Sequence, residues 1–137
     1  MNKSHEYARL MLEKAAEDLY VLDRLIDDTG AADAVVGFHA QQAVEKWLKA
    51  VLTDRAVIFS WTHDLAALLD LAQDSGIPLP PGAGRLPQLT PYAVGFRYGR
   101  VPLENGGTPT LDRAWVRSCV REVKAWAEVL VGETSTS

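Results

Sequence analysis

The sequence predicts an all-α protein, a four- to five-helix up-and-down antiparallel bundle. Three observations carry this expectation. Apolar residues recur at helical spacing in three long segments, and glycine and proline punctuate the chain between them. The strand-like run Ala56-Val57-Ile58-Phe59 finds no partner strand elsewhere in the chain. The 137 residues and 15.0 kDa suit one domain, placed at residues 1–132, with a polar tail at 133–137 expected to be disordered.

The first helix is read from Ala8, Leu12, Ala15, Leu19, Leu22 and Ile26, which step 4-3-4-3-4, with Glu13, Glu17, Asp23, Asp27 and Asp28 on other faces. Ser4 is its expected cap and Gly30 the expected left-handed residue after its end. Asp33 is expected to cap a second helix running to about Asp54, with Ala40, Ala43, Val44, Trp47, Leu48 and Val51 inward. Residues Arg55 to Trp61 read as a loop. Thr62 is the expected cap of a third helix, with Asp64 in its first turn, Leu65, Leu68, Leu69 and Ala72 buried, and Gly76-Ile77-Pro78 as its stop. After the Pro- and Gly-rich segment from Pro78 to Pro87, Thr90-Pro91 opens a short fourth helix to about Tyr98. Thr110 is expected to cap a fifth helix bearing Val116, Val120, Val123, Ala127 and Leu130, closed by Gly132.

Composition narrows the class. Hydrophobic residues are 47% and charged residues 23%, the balance of a globular chain. The longest strictly apolar stretch, Leu65 to Leu69, is far below the ~20 residues of a membrane span, so no membrane partner is expected. The charged amino terminus shows no export signal, and Cys119 is the lone cysteine, which together point to the cytoplasm. The net charge of −4 is unevenly spread. Residues 1–84 hold 7 basic and 13 acidic side chains, whereas residues 85–124 hold 7 basic and 3 acidic. A basic segment on an acidic chain is a candidate anion footprint.

The chain carries no glycine-rich phosphate loop, no His-Glu-x-x-His pair and no Gly-x-Ser-x-Gly elbow. His39, His63 and Cys119 lack the short spacing of a metal site, so no metal and no cofactor are expected. On the second helix His39, Gln42, Lys46 and Lys49 fall on one stripe opposite the core face, where a base, an amide and two ammonium groups suit a nucleotide; a solvated face gives the same pattern. Arg113, Arg117, Arg121 and Lys124 flank the core face of the fifth helix and call for either an external phosphate or the acidic first helix. Arg97, Tyr98 and Arg100 put guanidinium groups beside a stackable ring. Trp115, Cys119 and Trp126 form a second apolar strip on the fifth helix, covered by another part of the chain or by a second subunit. His39, Lys46, His63 and Arg97 are expected to share one mouth, with phosphate binding that depends strongly on salt.

The order of these features resembles the HEPN domain, named for higher eukaryotes and prokaryotes nucleotide-binding. The likeness lies in Ala-Glu-Asp-Leu at Ala16–Leu19, in Phe38-His39-Ala40-Gln41-Gln42-Ala43-Val44-Glu45-Lys46-Trp47-Leu48-Lys49-Ala50, in Thr62-His63-Asp64-Leu65 and in Arg97-Tyr98-Gly99. It runs from about Tyr7 to Leu130. The resemblance implies a helical bundle that forms homodimers and is often paired with a minimal nucleotidyltransferase in a toxin–antitoxin system. It also implies that some members are metal-independent ribonucleases that use an Arg, four to six intervening residues, then His. Here the nearest match, Arg55 to His63, has seven residues between. The expectation is therefore a nucleotide- or RNA-binding subunit with Trp115, Cys119 and Trp126 at the dimer interface, and a ribonuclease toxin with a non-standard site as the alternative.

Overall fold

The computed structural model describes residues 3–95 and 110–132, and these are all helix and loop, with no strand among them. The helices are α1 (Lys3–Leu25), α2 (Asp33–Asp54), α3 (Leu65–Asp74), the single turn α4 (Tyr92–Gly95) and α5 (Arg113–Gly132), with a 3₁₀ turn at Leu86–Leu89 before α4. Contacts between the beginning of α1 and the end of α2, such as His5 to Asp54, make these two antiparallel. Arg113 at the start of α5 reaches the end of α1, and Arg121, two turns on, reaches Asp23, so α5 is also antiparallel to α1. The predicted all-helical bundle is thus the fold found.

The α2 helix is the axis of the core and touches α1, α3, α4 and α5. Its expected inward residues, Ala40, Ala43, Val44, Trp47, Leu48 and Val51, are all buried, and Trp47 is the largest fully buried side chain. Burial is not confined to one face: Ala34, Val36, Gly37, Gln41, Glu45, Lys49, Ala50 and Leu52 are buried as well. This enclosure leaves α2 only a half-exposed strip through Val35, His39, Gln42 and Lys46.

Helix ends depart from expectation in detail. Ser4 lies inside α1, and Gly30, outside the left-handed region, has its N–H held by Asp28 Oδ1 at 2.8 Å. Asp33 is the first residue of α2, after Ala32, and its carboxylate is drawn to the Leu111 N–H and the Arg113 guanidinium instead of capping. The cap of α3 is Asp64, which accepts from the Ala66 N–H, while Thr62 accepts from the N–H of Asp64 itself. Before α5, Asp112, and not Thr110, accepts from the Trp115 N–H.

Both α2 and α3 close with the same backbone device. At the end of α3, Gly76 (φ 77°) donates to Gln73 O and Ile77 to Ala72 O. At the end of α2, Ala56 (φ 56°) takes the glycine position, donating to Thr53 O while Val57 donates to Leu52 O. The paired bonds satisfy carbonyls that the helix end leaves open, and at Ala56 they hold an alanine in a conformation that disfavours it. After that turn Val57 and Phe59 pack against the core, and His63 returns to Gln41 and Glu45 of α2.

Candidate functional site

Glu45 sits in the fourth turn of the central helix, and its carboxylate gathers three neighbours. Its Oε1 accepts from Gln41 Nε2 at 2.8 Å and meets His63 Nδ1 at 2.8 Å; its Oε2 accepts from Lys49 Nζ at 2.9 Å. Gln41 also donates to the His63 carbonyl at 3.2 Å, fastening the loop that brings His63 back to α2. Glu45 is 4% exposed and Lys49 6%. Burial alone would raise the Glu45 carboxyl, but hydrogen bonds from Lys49, Gln41 and His63, with the Lys49 charge, outweigh it and hold the group below its ordinary value. An ionised carboxylate only accepts, so His63 donates its Nδ1–H and turns Nε2 away from Glu45. The imidazole is thereby fixed in tautomer and direction.

At the surface end of this cluster stands Trp61, 82% exposed. Its ring meets the His63 ring edge-on with centroids 5.3 Å apart, and Lys49 Nζ lies 4.6 Å from its centroid and 5.9 Å from that of Phe59. Ile58, three residues earlier in the same loop, is 92% exposed. The result is a mouth of open aromatic and aliphatic surface backed by an amine, an imidazole and a buried carboxylate.

The second polar group lies between α1 and α2. Asp18 receives Lys46 Nζ on Oδ2, and its Oδ1 meets His39 Nδ1 at 3.3 Å. Gln42 Nε2 donates to Gln41 Oε1 at 2.7 Å and so joins this group to the first. The four residues predicted as one open stripe are therefore divided. His39 and Lys46 serve Asp18, Lys49 serves Glu45, and Gln42 links the two groups. The expected solvent face is only half exposed, because α1 packs beside it and Asp18 engages His39 and Lys46. His63 is likewise displaced from expectation, lying in the loop two residues before α3 and not in its first turn. Arg97, Tyr98 and Arg100 lie outside the described residues.

The basic row on α5 has internal partners. Arg117 pairs with Asp27, Arg121 with Asp23 at 3.2 Å and Lys124 with Glu128 at 3.2 Å. Arg113 does more, donating to Asp33 and to the carbonyls of Leu25, Ile26, Asp28 and Ala31, which lie at the end of α1 and in the connection to α2. Of the two sources of negative charge expected for this row, α1 and the residues after it supply partners to all three arginines. The second apolar strip meets the segment before α4: Trp126 Nε1 donates to Pro78 O at 2.9 Å, and Arg85 stacks on the Trp115 ring at 4.2 Å. Cys119 is buried, and burial pushes its thiol up to about 12, so it is no nucleophile at neutral pH. Among the described residues no group of three His, Cys, Asp or Glu could hold a metal ion, and no helix is long and apolar enough to cross a membrane.

Four residues of this arrangement were missed in the sequence: Asp18, Gln41, Glu45 and Trp61. A signal existed for three of them. Gln41, Glu45 and Lys49 follow each other at i, i+4, the spacing of helical hydrogen-bonded and charged pairs. Asp18, at i+3 of Ala15 and i−4 of Leu22, borders the apolar row of α1.

The comparisons with known proteins agree with this architecture. Over 54 residues the chain is 43% identical to a Methanocaldococcus jannaschii protein bearing the name "Putative toxin MJ1304"; the match covers 39% of this chain and 34% of that protein, so the chain spans about a third of the relative's length. No solved structure matches. The model of the HEPN domain family matches residues 8–130, nearly the whole chain and all five helices. The chain belongs to the HEPN domain family.

Proposed function

We propose that this chain is a nucleotide- or RNA-binding HEPN protein of the toxin–antitoxin type, acting as the partner subunit of a minimal nucleotidyltransferase. The observation that carries the reading is the mouth formed by Trp61, His63 and Lys49. A stackable ring with an imidazole of fixed direction at its edge offers a base a flat partner and a hydrogen-bonding nitrogen, with the Glu45-paired Lys49 amine behind the ring. Family membership and the toxin name of the matched relative support the same class. We further propose that the protein is a homodimer and works in the cytoplasm. The dimer is tested by sedimentation of the wild type with Trp115→Asp and Trp126→Asp variants.

One observation favours the ribonuclease reading as an alternative. Glu45 orients His63 through Nδ1, the relation in which a carboxylate prepares an imidazole for proton transfer. Incubation of the pure protein with short RNAs and with total RNA in EDTA separates the two. Binding with intact RNA supports the binding subunit, discrete cleavage products that disappear in His63→Ala favour the ribonuclease, and neither binding nor cleavage at micromolar protein overturns both.

A further inference from the structure

The structure holds an exposed tryptophan at a place where the fold could have covered it. Phe59 and Val57 of the same loop pack against the core, yet Trp61 and Ile58 stay out. The loop is not loose at this point. Gln41 holds the backbone carbonyl of His63, Glu45 holds its ring, and the turn at Ala56 fixes the other end. Trp61 is thus presented between two anchored points. Lys49 approaches one side of its ring at 4.6 Å, and with 82% of the residue exposed the opposite side is open.

The charge around this ring decides what it can hold. The Lys49 amine is already neutralised by Glu45 at 2.9 Å, the Lys46 amine by Asp18, and Arg113, Arg117 and Arg121 by carboxylates elsewhere. A ligand gripped through several phosphates would have to compete with these carboxylates for the same cations, and Arg55 at the start of the loop is the basic side chain near it that no carboxylate among the described residues engages. A ligand gripped through the flat face of a base needs only the ring, and His63 beside it supplies one hydrogen-bonding nitrogen. A base in a duplex has both faces covered by its neighbours, so the partner must be unpaired.

We infer that Trp61 is a stacking platform for one unpaired nucleobase, with His63 contacting the base edge or its phosphate. The shared chemistry is the base, which a single strand or a free nucleotide can provide. This inference rests on the proposed nucleotide- or RNA-binding function. Because Lys49, the amine beside the ring, is paired with Glu45, the salt dependence is shallow: the slope of log K against log salt is below that of two neutralised phosphates, less steep than roughly −1.4.

The test uses two fluorescent probes that are quenched by stacking: a single-stranded RNA decamer with one 2-aminopurine, and 2-aminopurine riboside monophosphate. Each is titrated with wild type, Trp61→Ala and Trp61→Phe in EDTA, with melting curves as a control on folding. The wild type is expected to quench at least one probe, Trp61→Ala to weaken that binding by roughly fivefold or more, and Trp61→Phe to stay within about threefold of wild type. Quenching of the decamer alone assigns the base to a strand; quenching of the monophosphate alone assigns it to a free nucleotide. Equal affinity in wild type and Trp61→Ala overturns the platform while leaving the binding function standing. No binding of either probe by wild type overturns both.

Discussion

Glu45 and His63 meet at 2.8 Å across 18 residues of sequence, and through this pair the centre of the bundle sets the direction of a side chain at its surface. Because Glu45 is buried and ionised, it tolerates loss of its partners poorly, and they tolerate its loss worse. Glu45→Gln leaves the Lys49 ammonium buried without a counter-charge, at a cost of roughly 3–5 kcal/mol. His63→Ala removes a side chain that is 39% exposed and is expected to cost about 1 kcal/mol. The double variant Glu45→Met with Lys49→Met is expected to recover much of the loss, since hydrophobic replacement of a buried pair is often neutral. Urea unfolding of the four proteins checks the order.

The same carboxylate sets an acid limit. Its ionisation is favoured in the folded state, so its contribution to stability is complete above the ordinary value of 4.5 and is lost as pH falls through the lowered folded value. The midpoint for urea unfolding is expected to be flat around Glu45's contribution at pH 6 and to fall below about pH 4.5, less steeply in the Glu45→Met, Lys49→Met protein. An identical acid profile in both would remove Glu45 as a source of the limit.

Tyr92 lies against the backbone of α2 where Gly37 has no side chain. A Cβ at that position would stand 2.2 Å from the ring's Cδ1, closer than atoms can approach. Gly37→Ala is therefore expected to destabilise by about 1–3 kcal/mol despite the better helix propensity of alanine. In Tyr92→Leu the same change is expected to cost far less, and additivity of the two substitutions in urea unfolding would contradict the close approach.

Arg113 and its helical neighbours differ in what they hold. Arg113 binds Asp33 and four carbonyls at the junction of α1 and α2, whereas Arg117 and Arg121 pair with carboxylates in solvent. Arg113→Ala is expected to cost about 2–3 kcal/mol and Arg117→Ala or Arg121→Ala under about 1. Thermal melts at 0.1 and 1 M salt check this, with only the latter two losing their effect in high salt.

The bundle was legible in the sequence because the rows beginning at Ala8 and Ala40 and the Val116 row repeat at the helical period, and packing then follows from burying them. The network was less legible for a definite reason. Periodicity assigns the side opposite an apolar row to solvent, but α2 has helices around most of it, so Lys49 went to a buried carboxylate and Lys46 to Asp18. Caps failed where two candidates stood two residues apart: Asp64 prevailed over Thr62 and Asp112 over Thr110, the anionic side chain being the better acceptor at a helix start. The exposure of Trp61 depends on the turn at Ala56, where an alanine occupies the left-handed position that sequence reading reserves for glycine.

The central claim is that nucleic acid meets this protein at the loop between α2 and α3. Photocrosslinking of RNA containing 4-thiouridine, followed by tryptic digestion and mass spectrometry, tests it directly. Trypsin releases Ala56 to Arg85 as one peptide carrying both Trp61 and His63. The expected result is an RNA adduct on that peptide, at Trp61 or His63; adducts on other peptides with Ala56 to Arg85 unmodified would contradict the assignment.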